Sequence, residues 1–214
     1  MPSGRVSPTF AWGTLAAAAV VFVVAAAAFW PAYGNPWPLA LSVPVLAFLV
    51  GYSFTKRFTW LCHAYLGAAL ALAPVCAWVA IRGSIAAPPL WMAGAVVLWL
   101  AGFDILYACQ DYGFDVAHGL FSVPARLGIG RALWVARAVH VGCVLMLLGL
   151  WRTTPELGPL FAVGIGLTVV LMTVEHAVVK PTDLSRINLA FFTLNGIIGL
   201  VLGTLGVIDV LVRR

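Results

Sequence analysis

Between Arg5 and Lys56 the chain carries no charged residue at all. A stretch that long leaves a water-soluble surface nothing to be made of, but it suits a bilayer, where a helix of about 20 apolar residues rising 1.5 Å each crosses a hydrocarbon core of about 30 Å. It is interrupted once, by Pro31-Ala-Tyr-Gly-Asn-Pro-Trp-Pro38, whose prolines and glycine cannot continue a helix. Two spans result, near Phe10–Trp30 and Leu39–Phe54. Further spans are expected near Trp60–Ile81, Pro89–Tyr107, Ala132–Trp151, Leu157–Val179 and Ile187–Val210, with Arg82-Gly83-Ser84, Pro88-Pro89, Thr153-Thr154-Pro155 and Lys180-Pro181-Thr182-Asp183 at breaks. Of the 214 residues 63% are hydrophobic and 9% charged, against about a quarter charged in soluble domains. The reading is an all-α polytopic membrane bundle of about seven transmembrane helices, with residues 1–214 as one domain.

The net charge of +5 does not point to nucleic acid, because the basic residues are spread singly through loops, where they report topology. With the N-terminus in the cytoplasm, that side receives eight, Arg5, Lys56, Arg57, Arg126, Arg131, Arg137, Lys180 and Arg186, and the other side four, Arg82, Arg152, Arg213 and Arg214. The positive-inside rule favours that orientation, in the inner membrane of a bacterium. Trp12, Trp60 and Trp134 near one set of ends, and Trp30, Trp37 and Trp151 near the other, suit the interfacial preference of the indole ring. The first span is too long for a signal-peptide core. Cys62, Cys76, Cys109 and Cys143 form no C-x-x-C pair and imply no disulfide. His63, His118, His140 and His176 form no H-x-x-x-H cluster and read as polar packing residues, His118 being near enough to the acids to keep in view.

Three of the seven acids fall in one stretch, as Asp104, Asp111 and Asp115. At i, i+7 and i+11 and about 100° per residue, one continuous helix would carry all three within roughly 40° of one another. Charge at membrane depth is costly and usually functional, so such a ladder calls for a cation. Oxygen ligands without His or Cys suit Mg²⁺, which is commonly held by one or two carboxylates together with substrate phosphates. The bland alternative is helix capping or pairing with Arg126 and Arg131. Lys56-Arg57, on the same side, either takes diphosphate oxygens or serves only as a topology determinant. Glu175 either lines the cavity or, more simply, pairs with Lys180. Asn188 and Asn195, with Phe191 and Phe192 between, fit a pocket wall or interhelical hydrogen bonding equally well.

The run Gly102-Phe-Asp-Ile-Leu-Tyr-Ala-Cys-Gln-Asp-Tyr-Gly-Phe-Asp115, followed by Gly119-Leu-Phe-Ser-Val-Pro-Ala-Arg-Leu-Gly128, resembles the second aspartate-rich motif and following loop of the UbiA superfamily of intramembrane prenyltransferases. The likeness is strongest to the 4-hydroxybenzoate polyprenyltransferase-like branch. Tyr52-Ser-Phe-Thr-Lys-Arg-Phe-Thr-Trp60 with Leu66-Gly67 is similar to its basic loop, and Asn188-Leu-Ala-Phe-Phe-Thr-Leu-Asn195 to its last helix. The resemblance implies that Asp111 and Asp115 bind Mg²⁺ with support from Asp104, and that Lys56, Arg57 and Arg126 contact diphosphate. Tyr107, Asn188 and Asn195 would join Asp104 and Arg126 in contacting substrate. The implied reaction moves a polyprenyl group from its diphosphate to an aromatic acceptor such as 4-hydroxybenzoate, in ubiquinone or menaquinone biosynthesis, with the lipid tail open to the bilayer.

The family's first aspartate-rich motif, N-D-x-x-D-x-x-x-D, is not found, and the family carries two more spans than are found here. Met1-Pro-Ser-Gly-Arg-Val-Ser-Pro8 looks like the piece that follows that motif. The resemblance therefore implies an internal methionine read as the start, or a truncated gene. Upstream in-frame sequence should restore the missing part, and the 214-residue form is expected to show little or no turnover. A transporter would place acids at mid-helix beside broken helices, which the sequence does not suggest. A CDP-alcohol phosphatidyltransferase would need D-G-x-x-A-R, which is absent. Other UbiA-type enzymes with different acceptors remain alternatives within the resemblance.

Overall fold

A computed structural model describes residues 6–213; Arg5 and Arg214 of the charge count, and the opening residues 1–5 read as a motif remnant, lie outside them. The described chain is helical: α1 (Pro8–Ala27), α2 (Phe29–Tyr33), α3 (Trp37–Thr55), α4 (Cys62–Arg82), α5 (Ala87–Ala108), α6 (Tyr112–Ala117), α7 (Val123–Leu127), α8 (Ile129–Thr153), α9 (Pro159–Val178) and α10 (Asn195–Val212). A 3-10 turn (Cys109–Asp111) joins α5 to α6, and a π-helical turn (Leu189–Leu194) leads into α10. Seven stretches are long and apolar enough to cross a membrane: Pro8–Tyr33, Trp37–Thr55, Cys62–Arg82, Ala87–Ala117, Ile129–Thr153, Pro159–Val178 and Leu189–Val212. They match the seven expected spans, with most ends shifted by a few residues. Pro44 and Pro74 sit inside α3 and α4, a placement that spanning helices tolerate better than soluble ones.

The chain divides into two compact units. Among the described residues, one comprises 6–51 and 75–85, the other 52–74 and 86–213. In the first, α1 buries no residue and exposes Phe10, Trp12, Val20, Val21 and Val24, as a lipid-facing helix does. Its connection is pinned by Asn35, whose Nδ2 donates to the carbonyls of Val79 (2.8 Å) and Ala80 (3.0 Å) while Oδ1 accepts from the Trp37 N–H (3.1 Å). Gly34, at φ +67°, ends α2 in the left-handed region that glycine adopts freely.

The second unit is built around α5 packed along α8, with α9 and α10 paired beside them. Two apolar clusters fill it. Ile105, Leu106, Val123, Leu133, Val179 and Ile187 lie in one, and Ala95, Cys143, Leu147, Phe161, Met172 and Ile198 in the other. Without water between lipid-facing helices, close van der Waals packing replaces the hydrophobic drive. Gly67 of α4 accordingly lies so close to the Val97 carbonyl that a Cβ would overlap it, and Gly102 of α5 lies as close to the His140 ring of α8.

Asp209 ties the far end of this unit together. It is 2% exposed, and its Oδ2 accepts from the backbone N–H groups of Gly158 (2.6 Å) and Phe161 (2.9 Å), which open α9. A carboxylate there satisfies otherwise unpaired donors and meets the positive end of the helix dipole. Asp209→Ala is expected to cost about 1–3 kcal/mol, the usual penalty for stranding buried donors. The measurement is thermal unfolding in detergent, with an unchanged midpoint as the contrary result.

Candidate functional site

The acidic stretch does not run as one helix. α5 ends at Ala108, the 3-10 turn tightens the path, and α6 starts again at Tyr112. The three carboxylates consequently serve two neighbouring subsites instead of forming one ladder. Asp111 and Asp115 converge on Lys56, whose Nζ lies 3.4 Å from Asp111 Oδ2 and 2.9 Å from Asp115 Oδ2. The Asp115 side chain is 1% exposed, against 50% for Asp111 and 33% for Lys56. Asp115 Oδ1 has no hydrogen-bond partner among the described residues, and its Oδ2 meets the Lys56 ammonium. Burial pulls the Lys56 pKa down, but the hydrogen bond to Asp115 and the charges of both carboxylates outweigh it, and the net shift is upward from 10.5.

Asp104 faces a different partner. Its Oδ2 lies 2.6 Å from Nδ1 of His63, which is 2% exposed at the start of α4. His63 Nε2 accepts the backbone N–H of Val123 at 3.2 Å, so the ring proton sits on Nδ1 and is donated to Asp104. One imidazole thus links α4, α5 and the start of α7. The loop between α6 and α7 is held in turn by the Phe121 N–H donating to the Lys56 carbonyl (2.8 Å), and by Ser122 Oγ capping α7 through the Ala125 N–H (3.2 Å). Around these groups lies a cavity of about 270 Å³ whose lining includes Tyr52, Lys56, His63, Asp104, Tyr107 and Asp111.

The remaining residues named from sequence lie in several places. Arg126 sets its guanidinium over the Trp60 ring, 5.0 Å from the centroid, and Arg57 sets its own over Phe54 at 5.7 Å. Tyr107 lines the cavity and packs its ring against Phe191 at 4.3 Å. Asn188 is exposed just before the π-helical turn. Asn195 is buried in a separate network with Trp99, Ala190 and Glu175. The simpler reading of Glu175 is corrected here: it is fully buried and turned to Asn195, while the Lys180 backbone pairs with Asp183. His118 is exposed and engages the Phe114 carbonyl. His63, read from sequence as a packing residue, belongs to the site; its signal was a lone imidazole at the polar mouth of an apolar span.

Among the described residues no group of three His, Cys, Asp or Glu side chains gathers as a metal centre. The fit to a hard cation is nonetheless good at Asp111 and Asp115. A buried carboxylate with an unpaired oxygen beside an exposed one offers the two oxygen ligands from which Mg²⁺ is commonly held, with substrate phosphates completing the set.

Residues 1–197 match the UbiA prenyltransferase family, and the chain belongs to that family. It is an integral membrane protein by its seven apolar spans. It is 31% identical over 72% of its length to the 4-hydroxybenzoate octaprenyltransferase of Methylococcus capsulatus, and 32% identical over 51% of its length to the mitochondrial 4-hydroxybenzoate polyprenyltransferase of Caenorhabditis elegans. The chain spans 52% and 31% of those two proteins. Its fold matches the apo structure of a UbiA homolog from Aeropyrum pernix K1 with a TM-score of 0.84 at 31% identity, over 97% of this chain and 74% of that one.

Lys56 and Asp115 are expected to depend on each other for stability. A double-mutant cycle of Lys56→Met and Asp115→Asn should return a coupling of about 1–3 kcal/mol in thermal unfolding, and additive effects would contradict the pairing. Because the Lys56 pKa is raised on folding, its share of stability is complete at pH values below 10.5 and is lost only as the pH climbs through the higher folded value. Unfolding midpoints from pH 7 to 9 should therefore show no Lys56-dependent slope when wild type and Lys56→Met are compared.

Proposed function

We propose that the chain acts in the transfer of a polyprenyl group from a polyprenyl diphosphate to an aromatic acceptor of the 4-hydroxybenzoate type, in quinone biosynthesis. The observation that carries this reading is the convergence of Asp111 and Asp115 on one cationic group beside the cavity that holds Asp104. The names of the relatives support the substrate class. On this reading the 214 residues work as one membrane domain in a bacterial inner membrane, with the carboxylate end in the cytoplasm.

Asp111 and Asp115 would hold Mg²⁺, with Asp104 in support. Bound there, the ion supplies Lewis-acid neutralisation of a departing diphosphate. Lys56 and Arg57, with Arg126, bind the non-bridging diphosphate oxygens and stabilise the charge that grows as the allylic carbon–oxygen bond breaks. The ring of the acceptor then attacks the allylic carbon and loses a proton. His63 fixes the orientation of Asp104 through its Nδ1–H and keeps that carboxylate at the cavity wall. Tyr107 supplies an aromatic ring to the cavity wall, and Phe191 packs against that ring.

The test is prenylation of 4-hydroxybenzoate by membranes carrying the 214-residue chain, alongside the product of the same frame read from any upstream start codon. Mg²⁺-dependent transfer by the latter is expected, with Asp111→Ala and Asp115→Ala each lowering kcat/KM by about 100-fold or more. The 214-residue chain is expected to bind a non-hydrolysable polyprenyl diphosphate analogue in a Mg²⁺-dependent way. Absence of both transfer and analogue binding from both products would overturn the proposal.

A further inference from the structure

An apolar bundle tolerates a buried carboxylate only when something is gained by it, and Glu175 is 0% exposed in the last turn of α9. Its Oε1 accepts from Asn195 Nδ2 at 3.0 Å. Asn195 is the node of a closed set of contacts. Its second Nδ2 hydrogen goes to the Ala190 carbonyl at 3.0 Å, and its Oδ1 accepts from Trp99 Nε1 at 2.7 Å. Both amide hydrogens and one oxygen lone pair are thereby used inside the protein. That leaves Asn195 little with which to grip a substrate directly.

The Ala190 carbonyl belongs to the π-helical turn Leu189–Leu194. A π-helical turn is rare and is frequently found at functional sites. Here Asn195 reaches back five residues to that carbonyl and so braces the widened turn from inside. The side chain the turn presents is Phe191, whose ring meets Phe103 at 5.0 Å and Tyr107 at 4.3 Å. Phe103 in turn meets Trp99, edge to face at 6.1 Å. Trp99, Phe103 and Tyr107 stand four residues apart along α5 and form a row on one face. Asn195 holds one end of that row directly, through Trp99, and the other end through Phe191. Tyr107, at the end of the row, lines the carboxylate cavity.

We propose that Glu175 is a positioning residue for the aromatic wall of the transfer site: by fixing the Asn195 amide it sets the π-helical turn that presents Phe191 to Tyr107. The assignment rests on the transferase reading for its kinetic consequence and on the geometry alone for its structural one. The diphosphate is handled by charged groups on α5, α6 and the basic loop, which this network does not touch, so its effect falls on the aromatic acceptor. The interaction needs an acceptor oxygen and does not need a negative charge. Glu175 Oε2 accepts no hydrogen bond among the described residues and lies 3.9 Å from His140 Nδ1. His140 itself is held by the Trp99 carbonyl at Nε2 (3.2 Å) and by His176 at Nδ1 (3.0 Å). Glu175→Gln therefore keeps the Asn195 contact and sets its new NH₂ where no bond exists to be lost.

The experiment compares Glu175→Gln, Glu175→Ala and Asn195→Ala with wild type, in nanodiscs and in the product read from an upstream in-frame start where there is one, by amide hydrogen exchange over residues 187–196 and by separate KM measurements for acceptor and diphosphate. Glu175→Ala and Asn195→Ala are expected to speed exchange in that segment and to raise KM for 4-hydroxybenzoate about tenfold, a loss of about 1.4 kcal/mol, with KM for the diphosphate within about twofold. Glu175→Gln is expected to match wild type in both. Unchanged exchange in Glu175→Ala would overturn the proposal. So would a Glu175→Gln variant as impaired as Glu175→Ala, which would mean that the charge is what matters, or an equal rise in both KM values. If wild type transfers nothing, the transferase reading fails while the exchange comparison still decides whether Glu175 sets the turn.

Discussion

The site end of the second unit depends on the neutralisation of Asp115. A carboxylate buried to 1% exposure without a counter-ion would be among the most expensive groups in the protein. Lys56 supplies that charge from the loop after α3, while its backbone carbonyl receives the Phe121 N–H. The same residue therefore joins the basic loop to the segment between α6 and α7 through both side chain and main chain. His63 completes the closure from α4, joining Asp104 to the start of α7. With these contacts in place, the cavity gathers Asp104 and Asp111, Lys56 and His63, and the rings of Tyr52 and Tyr107.

That division of labour follows from how membrane helices are held together. Along most of its length the bundle has only packing to order it, and it uses glycine at close approaches such as Gly67 and Gly102. Polar side chains are kept for helix ends and for a few internal nodes. Asp209 serves one end of α9, and the Glu175–Asn195–Trp99 set serves the interior. Asp209, Glu175 and Asn195 would each be costly alone, and each finds a partner on another element. The partners define which helix faces meet, which apolar surface alone would leave loosely specified.

The seven spans were legible because bilayer crossing imposes a long apolar run, and loops that break such runs need proline, glycine or charge. The span ends near Thr55, Arg82 and Thr153 follow directly, whereas the break expected over Pro31–Pro38 narrows to residues 34–36, because α2 runs through Pro31 to Tyr33 and α3 restarts at Trp37. The closeness of Asp111 and Asp115 was legible as well, since four residues make about one helical turn. The helical ladder through Asp104 was not, because a single 3-10 turn at Cys109–Asp111 changes the phase of everything after it. Hydrophobic periodicity carries no mark of a local change in helix type only three residues long.

What the amino-acid sequence by itself determined, then, is the number of crossings, their approximate ends, and the concentration of acids and bases near one end of the bundle. Hydropathy and charge are properties of single residues and short runs, so they can be read without knowing what packs on what. Only the tertiary structure decided that Lys56 meets two carboxylates, that His63 belongs to the site, and that Asn195 turns inward to Glu175 and Trp99. Those are pairings across 20 to 96 positions of sequence. They depend on the rotation of each helix about its own axis, which is set by the fit of neighbouring side chains and leaves no periodic trace in any one segment.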